Sequence, residues 1–295
     1  MQTFCRIRAS SLVVFQDKRL IKMKRTRILL VGLMVLCFMA IGTFAQESKI
    51  VKSEMSQAEI DRIVKAFTAK EAVFRSALTE YVFNRNATIQ TIGMGGQVTG
   101  VYRRDSFMAL NEQGVRAEKI VYFPISTIQE IVITPEDVDN LGSINPYALE
   151  PAKAALYNFT FVGKEHIDEL DLYVFDVAPK VLPDPKKTKE LLFFGRIWVD
   201  DRDLQIVKSK GKAVPEGKNT KYPVVETWRE NVGGKYWFPS YATSDDELVF
   251  DNGLAVKLKI RVRYKDYTQG KSEVKILDDT EETPTPTPTP TPKKP

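Results

Sequence analysis

The chain has 295 residues, with 43 Lys or Arg, 38 Asp or Glu, one His and two Cys. Its basic excess lies in residues 1–45, which hold eight Lys or Arg and one acid, so residues 46–295 carry 35 basic and 37 acidic side chains. This balance argues against a nucleic-acid partner, which a basic chain would otherwise suggest.

Residues Met23–Ala45 have the pattern of a secretory signal peptide. Lysine and arginine at 24, 25 and 27 precede an uninterrupted apolar run over 28–41, and Thr43-Phe44-Ala45 places small residues at a signal-peptidase site. We predict a start at Met23, cleavage after Ala45 and secretion to the periplasm, with residues 1–45 as N-terminal extension plus signal peptide. An uncleaved N-terminal anchor is the alternative.

Both cysteines precede the predicted cleavage point. Cys37 follows Leu36 in the apolar run, where a lipid-attachment motif needs a small residue, so a lipoprotein signal is disfavoured. The mature chain then has no thiol, which excludes disulfides, cysteine metal sites and a cysteine nucleophile.

An amphipathic helix is predicted to follow. Ser56-Gln57-Ala58-Glu59 has the form of a capping box, in which Ser56 accepts from an amide and Glu59 reaches back. Seven apolar residues then recur near a spacing of 3.6: Ile60, Ile63, Val64, Phe67, Val73, Phe74 and Leu78. We expect this stripe to lie on a sheet.

Three strands and a helical insert come next. The strands are predicted at Tyr81–Gln90, Val98–Ala109 and Glu118–Phe123, and Gly93-Met94-Gly95-Gly96 is a hairpin tip, because it leads into a strand and not into the helix of a phosphate loop. Thr134-Pro135-Glu136-Asp137 predicts a short helix that Gly142 ends, and Pro146–Ala155 a second one.

The chain then reads as a β-meander, centred on a hairpin that turns at Asp200–Asp203. Further turns are predicted at Glu165–Glu169, Asn231–Gly234, Ser244–Glu247 and Asp251–Gly253. The strands are Asn158–Lys164, Leu170–Ala178, Leu191–Val199, Leu204–Lys208, Val224–Glu230, Lys235–Ala242, Leu248–Phe250 and Val256–Lys265.

The last strand alternates without interruption. Val256, Leu258, Ile260, Val262 and Tyr264 point one way and five cations point the other, which predicts one buried and one wet face. The cationic face could meet anionic headgroups or an acidic partner, or be a solvated face balanced by the acids of 245–247; the second interpretation is preferred.

Apolar side chains also lie on both sides of two meander strands. Residues 193, 194 and 197–199 and residues 172–175 and 177 show this pattern. Either further elements cover the second face, or the sheet curves around an apolar cavity.

The residues for enzymatic chemistry are sparse. His166, the only histidine, is interpreted as a surface turn residue, and no GxSxG elbow accompanies it. The two acidic runs lack the spacing of a calcium loop and are explained by turns, while a pair of glycosidase carboxylates is not singled out. We predict no catalytic residue, no metal and no cofactor.

The C-terminal segment of the sequence is rich in threonine and proline. Residues 281–295 contain five Thr-Pro pairs and predict a disordered tail, and residues 46–280 are predicted to form one domain.

Tyr173–Lys180, Gly195–Asp200 and Leu204–Lys208 resemble the core of the LolA-like group of outer-membrane lipoprotein-sorting proteins. Glu226–Glu230 and Gly234–Pro239 resemble an uncharacterised secreted branch of that group. The resemblance implies a mainly β, α+β fold: an open, strongly curved antiparallel half-barrel sheet with helices covering its concave face.

It also implies a non-catalytic carrier or sensor that holds an acyl chain of a lipid or lipoprotein in the half-barrel. The cavity candidates are Tyr173, Phe175, Val177, Ile197, Val199, Val256, Leu258, Ile260 and Val262. We expect a monomer with peripheral membrane contact and an envelope protein as a further partner. The alternatives are a structural or regulatory envelope protein with a filled core that acts through its surface, and a hydrolase with an unrecognised site.

Overall fold

The computed structural model describes residues 49–111, 113–141, 149–187 and 190–270. The predicted signal segment, the Thr-Pro tail and the domain limits at 46 and 280 lie outside these ranges and stay predictions. No helix among the described residues is long and apolar enough to span a membrane.

Ten strands form one antiparallel sheet in the order β3-β2-β1-β10-β9-β8-β7-β6-β5-β4. The sheet is open, with β3 and β4 as its edges, which confirms the predicted fold class. The strands are β1 Tyr81–Ile92, β2 Val98–Leu110, β3 Arg116–Tyr122, β4 Tyr157–Ile167, β5 Leu170–Pro179, β6 Leu192–Asp200, β7 Ile206–Val214, β8 Val225–Val232, β9 Tyr236–Val249 and β10 Ala255–Gln269.

Helix α1, Gln57–Thr79, crosses one face of this sheet. Ile63 and Phe67 pack on one core cluster with β5–β7, and Phe74 and Leu78 pack on a second cluster with β1, β9 and β10. The predicted apolar stripe is therefore the surface that attaches the helix to the sheet, with one exception: Val73 is 53% exposed, and Glu71 is buried instead.

The N-terminus of α1 differs in one detail from the predicted capping box. The Ser56 hydroxyl accepts from the Glu59 amide at 3.3 Å, as expected. The Glu59 carboxylate, however, binds the guanidinium of Arg62 at 2.7 and 2.8 Å, because an arginine three residues ahead lies on the same helix face.

Two short helices follow the first three strands. Helix α2, Pro135–Leu141, begins as predicted, with the Thr134 hydroxyl accepting from the Asp137 amide at 3.2 Å. Helix α3, Pro151–Ala154, is the described part of the second predicted helix. Gly142, the predicted end of α2, lies outside the described residues.

The prediction of a turn at Ser244–Glu247 is wrong, because these residues lie inside β9. Ser244 is buried, and Asp245 and Glu247 lie opposite Lys259 and Lys257 of β10. Charge pairing across the strands stabilises acids that in isolation favour a turn.

The turn at Asp200–Asp203 is confirmed. The Asp200 carboxylate accepts from the Asp203 amide at 3.2 Å, and Asp203 accepts from the Gln205 amide at 2.9 Å. The hairpin that it closes lies between β5 and β8, inside the larger sheet.

The corner predicted at Glu165–Glu169 is shorter than expected. Strand β4 continues to Ile167 and only Asp168 and Glu169 form the turn. His166 thus lies in a strand, but its side chain is 66% exposed, and its Nδ1 is 2.8 Å from Asp171 Oδ1.

The structure supports the first explanation for the apolar side chains on both sides of β5 and β6, in which further elements cover the second face. On the face of β5–β7 opposite α1, Leu172, Val174, Trp198 and Val207 form a third cluster, against which Ile50 packs. The other face contains the cavity described below.

Candidate functional site

A cavity of about 500 Å³ lies on the helix-covered face of the sheet, beside α2. This volume falls within the range of about 300–1,000 Å³ that is usual for small-molecule sites. Its floor is apolar and comes from β1 and β7–β10, with the side chains of Ile89, Ala213, Val225, Leu248, Leu258 and Ile260.

The segment 123–134, which we call the strap, covers one side of this cavity. Its residues Ile131 and Ile133 line the space and are half-buried against the core cluster of β1, β9 and β10. The loop 215–224 and the β9–β10 turn complete the wall, with Tyr222, Pro223, Phe250 and Leu254 as lining residues.

Strand β2 holds the strap in place. The Thr127 amide donates to the Val101 carbonyl at 3.0 Å, and the Val101 amide donates to the Thr127 hydroxyl at 2.8 Å. Gly100 permits this approach, because a Cβ there would lie 2.7 Å from the Ile128 Cα. The strap is therefore fixed close to the sheet by backbone contacts.

Two lysines of the rim are each paired with an acid. Lys221 donates to Asp251 at 2.8 Å, which raises the pKa of Lys221, and Lys212 donates to Glu216 at 2.9 Å. Burial raises the pKa of the Tyr222 phenol, and nearby acids add to the shift. Glu130 and Asp137 also line the cavity and accept from the hydroxyls of Thr99 and Thr134, so the rim combines two ion pairs with two further carboxylates.

The cavity is lined by apolar side chains together with a few ionisable ones: Glu130, Asp137, Lys212, Lys221 and Tyr222. Its lining contains no histidine among the described residues, and His166 lies in the β4–β5 hairpin instead. No group of three or more side chains that could hold a metal occurs in the part of the chain that the structure describes. Apolar burial is the interaction that this arrangement supports.

The structure divides the nine cavity candidates into two groups. Leu258 and Ile260 line the cavity, and Val256 and Val262 are buried in the same cluster without lining it. The five others pack in the cluster under the N-terminal half of α1: Tyr173, Phe175, Val177, Ile197 and Val199. Their role in ligand binding stays a prediction.

The sequence interpretation missed the covering side of the cavity. Ile131, Ile133, Tyr222, Pro223 and Leu254 lie in segments without regular secondary structure. A detectable signal was present in the strap, where isoleucines recur between a predicted strand and a predicted helix without belonging to either.

No family model matches the chain, and no curated protein matches it. Among solved structures, a LolA superfamily protein from Nitrosomonas europaea matches 69% of this chain and 92% of its own, with 13% identity and a TM-score of 0.34. The chain resembles LolA-like proteins in fold. The predicted resemblance is confirmed at that level.

Two further matches have similar extent. A DUF1329 family protein from Desulfovibrio piger covers 73% of this chain and 95% of its own, with 14% identity and a TM-score of 0.35. A MucA/MucB complex from Pseudomonas aeruginosa covers 67% and 94%, with 8% identity and a TM-score of 0.20. Likeness this distant carries no argument about ligand or activity, which must come from the cavity itself.

The cationic face of β10 is partly neutralised by β9. Arg261 donates to Asp245 at 2.8 Å, and Lys259 and Lys257 lie opposite Asp245 and Glu247. The remaining two cations lie opposite neutral residues. This arrangement favours the solvated, balanced face over a dedicated site for anionic headgroups.

Proposed function

We propose that this protein is a non-catalytic periplasmic carrier or sensor that holds the acyl chain of a lipid or lipoprotein in the strap cavity. One observation carries the proposal: a space of about 500 Å³ with an apolar floor, between the strap and the floor strands. A filled core would leave no such space.

The energetics of acyl-chain burial fit a non-covalent carrier. Burial gains about 0.8 kcal/mol for each CH₂, so a C14–C16 chain gains about 11–13 kcal/mol before the costs of ordering. Because association and ordering cost several kcal/mol, stable binding requires that most of the chain is buried.

The direct test is native mass spectrometry of the mature protein, purified from its native envelope without detergent. We expect a discrete added mass that matches a lipid and is lost in Ala213→Phe, which places a ring on the cavity floor. Val249→Phe is the matched control, because Val249 is exposed and outside the lining.

A second cavity variant covers the case in which Ala213→Phe does not fold. Leu254 lines the cavity and is 41% exposed, so Leu254→Trp fills the mouth at small cost to the core. A bare wild-type mass, together with no uptake of added lipids or acylated peptides, contradicts the carrier function.

The surface-acting envelope protein is the second candidate, and the β3 edge favours it. Ile120, Val121 and Tyr122 are about half exposed or more on an edge strand that, within the described part of the chain, pairs only with β2, whereas Val51 bridges to Lys164 at the opposite edge. Exposed apolar edges are strand-pairing sites that proteins usually protect. A lipid-free protein that still requires this edge for its role would support this candidate.

A further inference from the structure

Three arginines from adjacent strands meet on the helix-covered face, beyond the residues that line the cavity. Arg85 of β1 is 3% exposed and Arg104 of β2 is 7% exposed, while Arg116 of β3 lies with its guanidinium 4.8 Å from the Phe83 ring centre. Phe83 precedes Arg85 by two residues on the same face of β1. The three side chains therefore surround one region of the sheet.

Two carboxylates serve this cluster among the described residues. Glu118 accepts from Arg85 Nη2 at 2.8 Å and from Arg104 Nε and Nη2 at 2.9 and 2.5 Å. Asp139 of α2 accepts from Arg85 Nη1, and its side chain is 50% exposed. Three guanidinium charges thus face two carboxylates, of which one is largely in solvent.

Two nitrogen atoms of the arginine cluster have no hydrogen-bond acceptor in the described structure. Arg85 Nε and Arg116 Nη1 are buried and have no hydrogen-bond partner in the described structure. Arg116 Nη2 donates only to neutral carbonyls, those of Leu78 and Tyr81. Buried charged donors without a partner are costly, and in native proteins such groups are usually explained by a water, an ion or a ligand.

The buried arginine of β8 provides a contrast within the same protein. Arg229 binds both carboxylate oxygens of Glu71, at 2.5 and 3.1 Å, and its charge is matched by one buried acid. A purely structural arginine can therefore be fully paired in this core, and Arg116 is not.

We propose that Arg85 and Arg116 bind a phosphate or carboxylate group, with Asp139 as an exposed competitor for Arg85. A guanidinium presents a planar fork of donors that matches the oxygens of such an anion. The inference goes beyond the acyl-chain function, since the anion contacts none of the cavity lining and requires no acyl chain.

The test is titration of the folded protein with inorganic phosphate by calorimetry, at constant ionic strength set with chloride so that screening does not change. We expect saturable binding at one site. Asp139→Asn removes the competing charge without disturbing the core, so its affinity for phosphate should rise about tenfold, and Arg116→Gln should lower the affinity by at least about tenfold.

Arg103→Gln is the matched control. Arg103 belongs to β2 as Arg104 does, but it is half exposed and paired with Asp105 near Tyr122. Its loss should leave phosphate binding unchanged. Absence of saturable binding in Asp139→Asn, equal binding in Arg116→Gln and wild type, or an equal loss in Arg103→Gln would each overturn the proposal.

A second experiment distinguishes a lipid headgroup from a soluble phosphate or carboxylate compound as the source of the anion. The protein is sedimented with phosphatidylcholine vesicles, with and without phosphatidylglycerol. Binding only to the anionic vesicles, reduced by Arg116→Gln and by competing phosphate, identifies a lipid headgroup. Phosphate binding without vesicle binding identifies a soluble phosphate or carboxylate compound, and both results support the site.

Discussion

Glu71 of α1 and Arg229 of β8 form an ion pair that is almost completely buried. Arg229 Nη1 and Nη2 lie 2.5 and 3.1 Å from the two carboxylate oxygens, and the guanidinium lies 4.3 Å from the Phe74 ring centre. The pair stands between the two core clusters that α1 covers. It therefore sets the position of the helix over the sheet.

Arg229→Met should destabilise the protein by about 3–5 kcal/mol, because it leaves the Glu71 carboxylate buried without a partner. The double variant Glu71→Leu/Arg229→Met should recover most of this loss. Urea unfolding measures both. The control is Arg62→Met, which breaks the exposed pair with Glu59 and should leave the urea midpoint almost unchanged. A loss in Arg229→Met as small as in the control would contradict this account.

Glu118 should make stability depend on pH in the acid range. Hydrogen bonds from Arg104, the largest cause, lower the pKa of Glu118 from 4.5 to about 2. Because the pKa in the folded state is below that of the unfolded chain, the carboxylate stabilises the fold above about pH 4.5, and this contribution is lost as the pH falls towards 2.

The measurement is the urea midpoint of wild type and Glu118→Gln between pH 7 and pH 2. The difference in stability should be constant above about pH 5 and should shrink between pH 4.5 and 2. A difference that stays the same throughout this window would show that the charge of Glu118 does not stabilise the fold.

The strap covers one side of the cavity, and its contacts with β2 hold it in that position. Gly100→Ala puts a Cβ 2.7 Å from the Ile128 backbone, so the strap must move away from β2. We expect faster hydrogen exchange at the amides of Val101 and Thr127, which bond strap and strand together. Gly217→Ala is the control, since its nearest neighbour lies at 3.7 Å, and unchanged exchange in Gly100→Ala would contradict the close approach.

At the level of helices and strands, the sequence predicted those elements whose apolar residues recur at a regular spacing. The alternation of Val256–Lys265 matches the burial of β10, and the stripe of α1 matches its packing except at Val73, which is exposed. Pattern failed at Asp245 and Glu247, whose strand conformation depends on lysines that are 14 and 10 positions away. The sequence pattern also failed to predict the strap. This segment is held by contacts with β2, and its apolar residues do not recur at the spacing of a helix or a strand.

The order of the strands in the sheet could not be predicted from the spacing of apolar residues along the chain. β1 pairs with β10, so residues near 85 lie beside residues near 264, and the chain ends its sheet next to where the sheet began. The cavity floor is assembled from this long-range pairing. Leu258 and Ile260 were found because they lie on a strictly alternating strand, whereas Ile89 and Val225 required the strand order itself.

The same pairing predicts how the protein responds to truncation. β10 is the hydrogen-bonded neighbour of both β1 and β9, so a chain that ends at Gly253 leaves one side of each of these interior strands unpaired and divides the sheet in two, and it should not fold. A chain that ends at residue 280 loses only the Thr-Pro segment and should unfold at the same urea midpoint as the full chain. Circular dichroism and urea titration of the two truncated chains test this. A cooperative transition in the shorter chain would mean that β1–β9 fold without the strand that joins the two halves of the sheet.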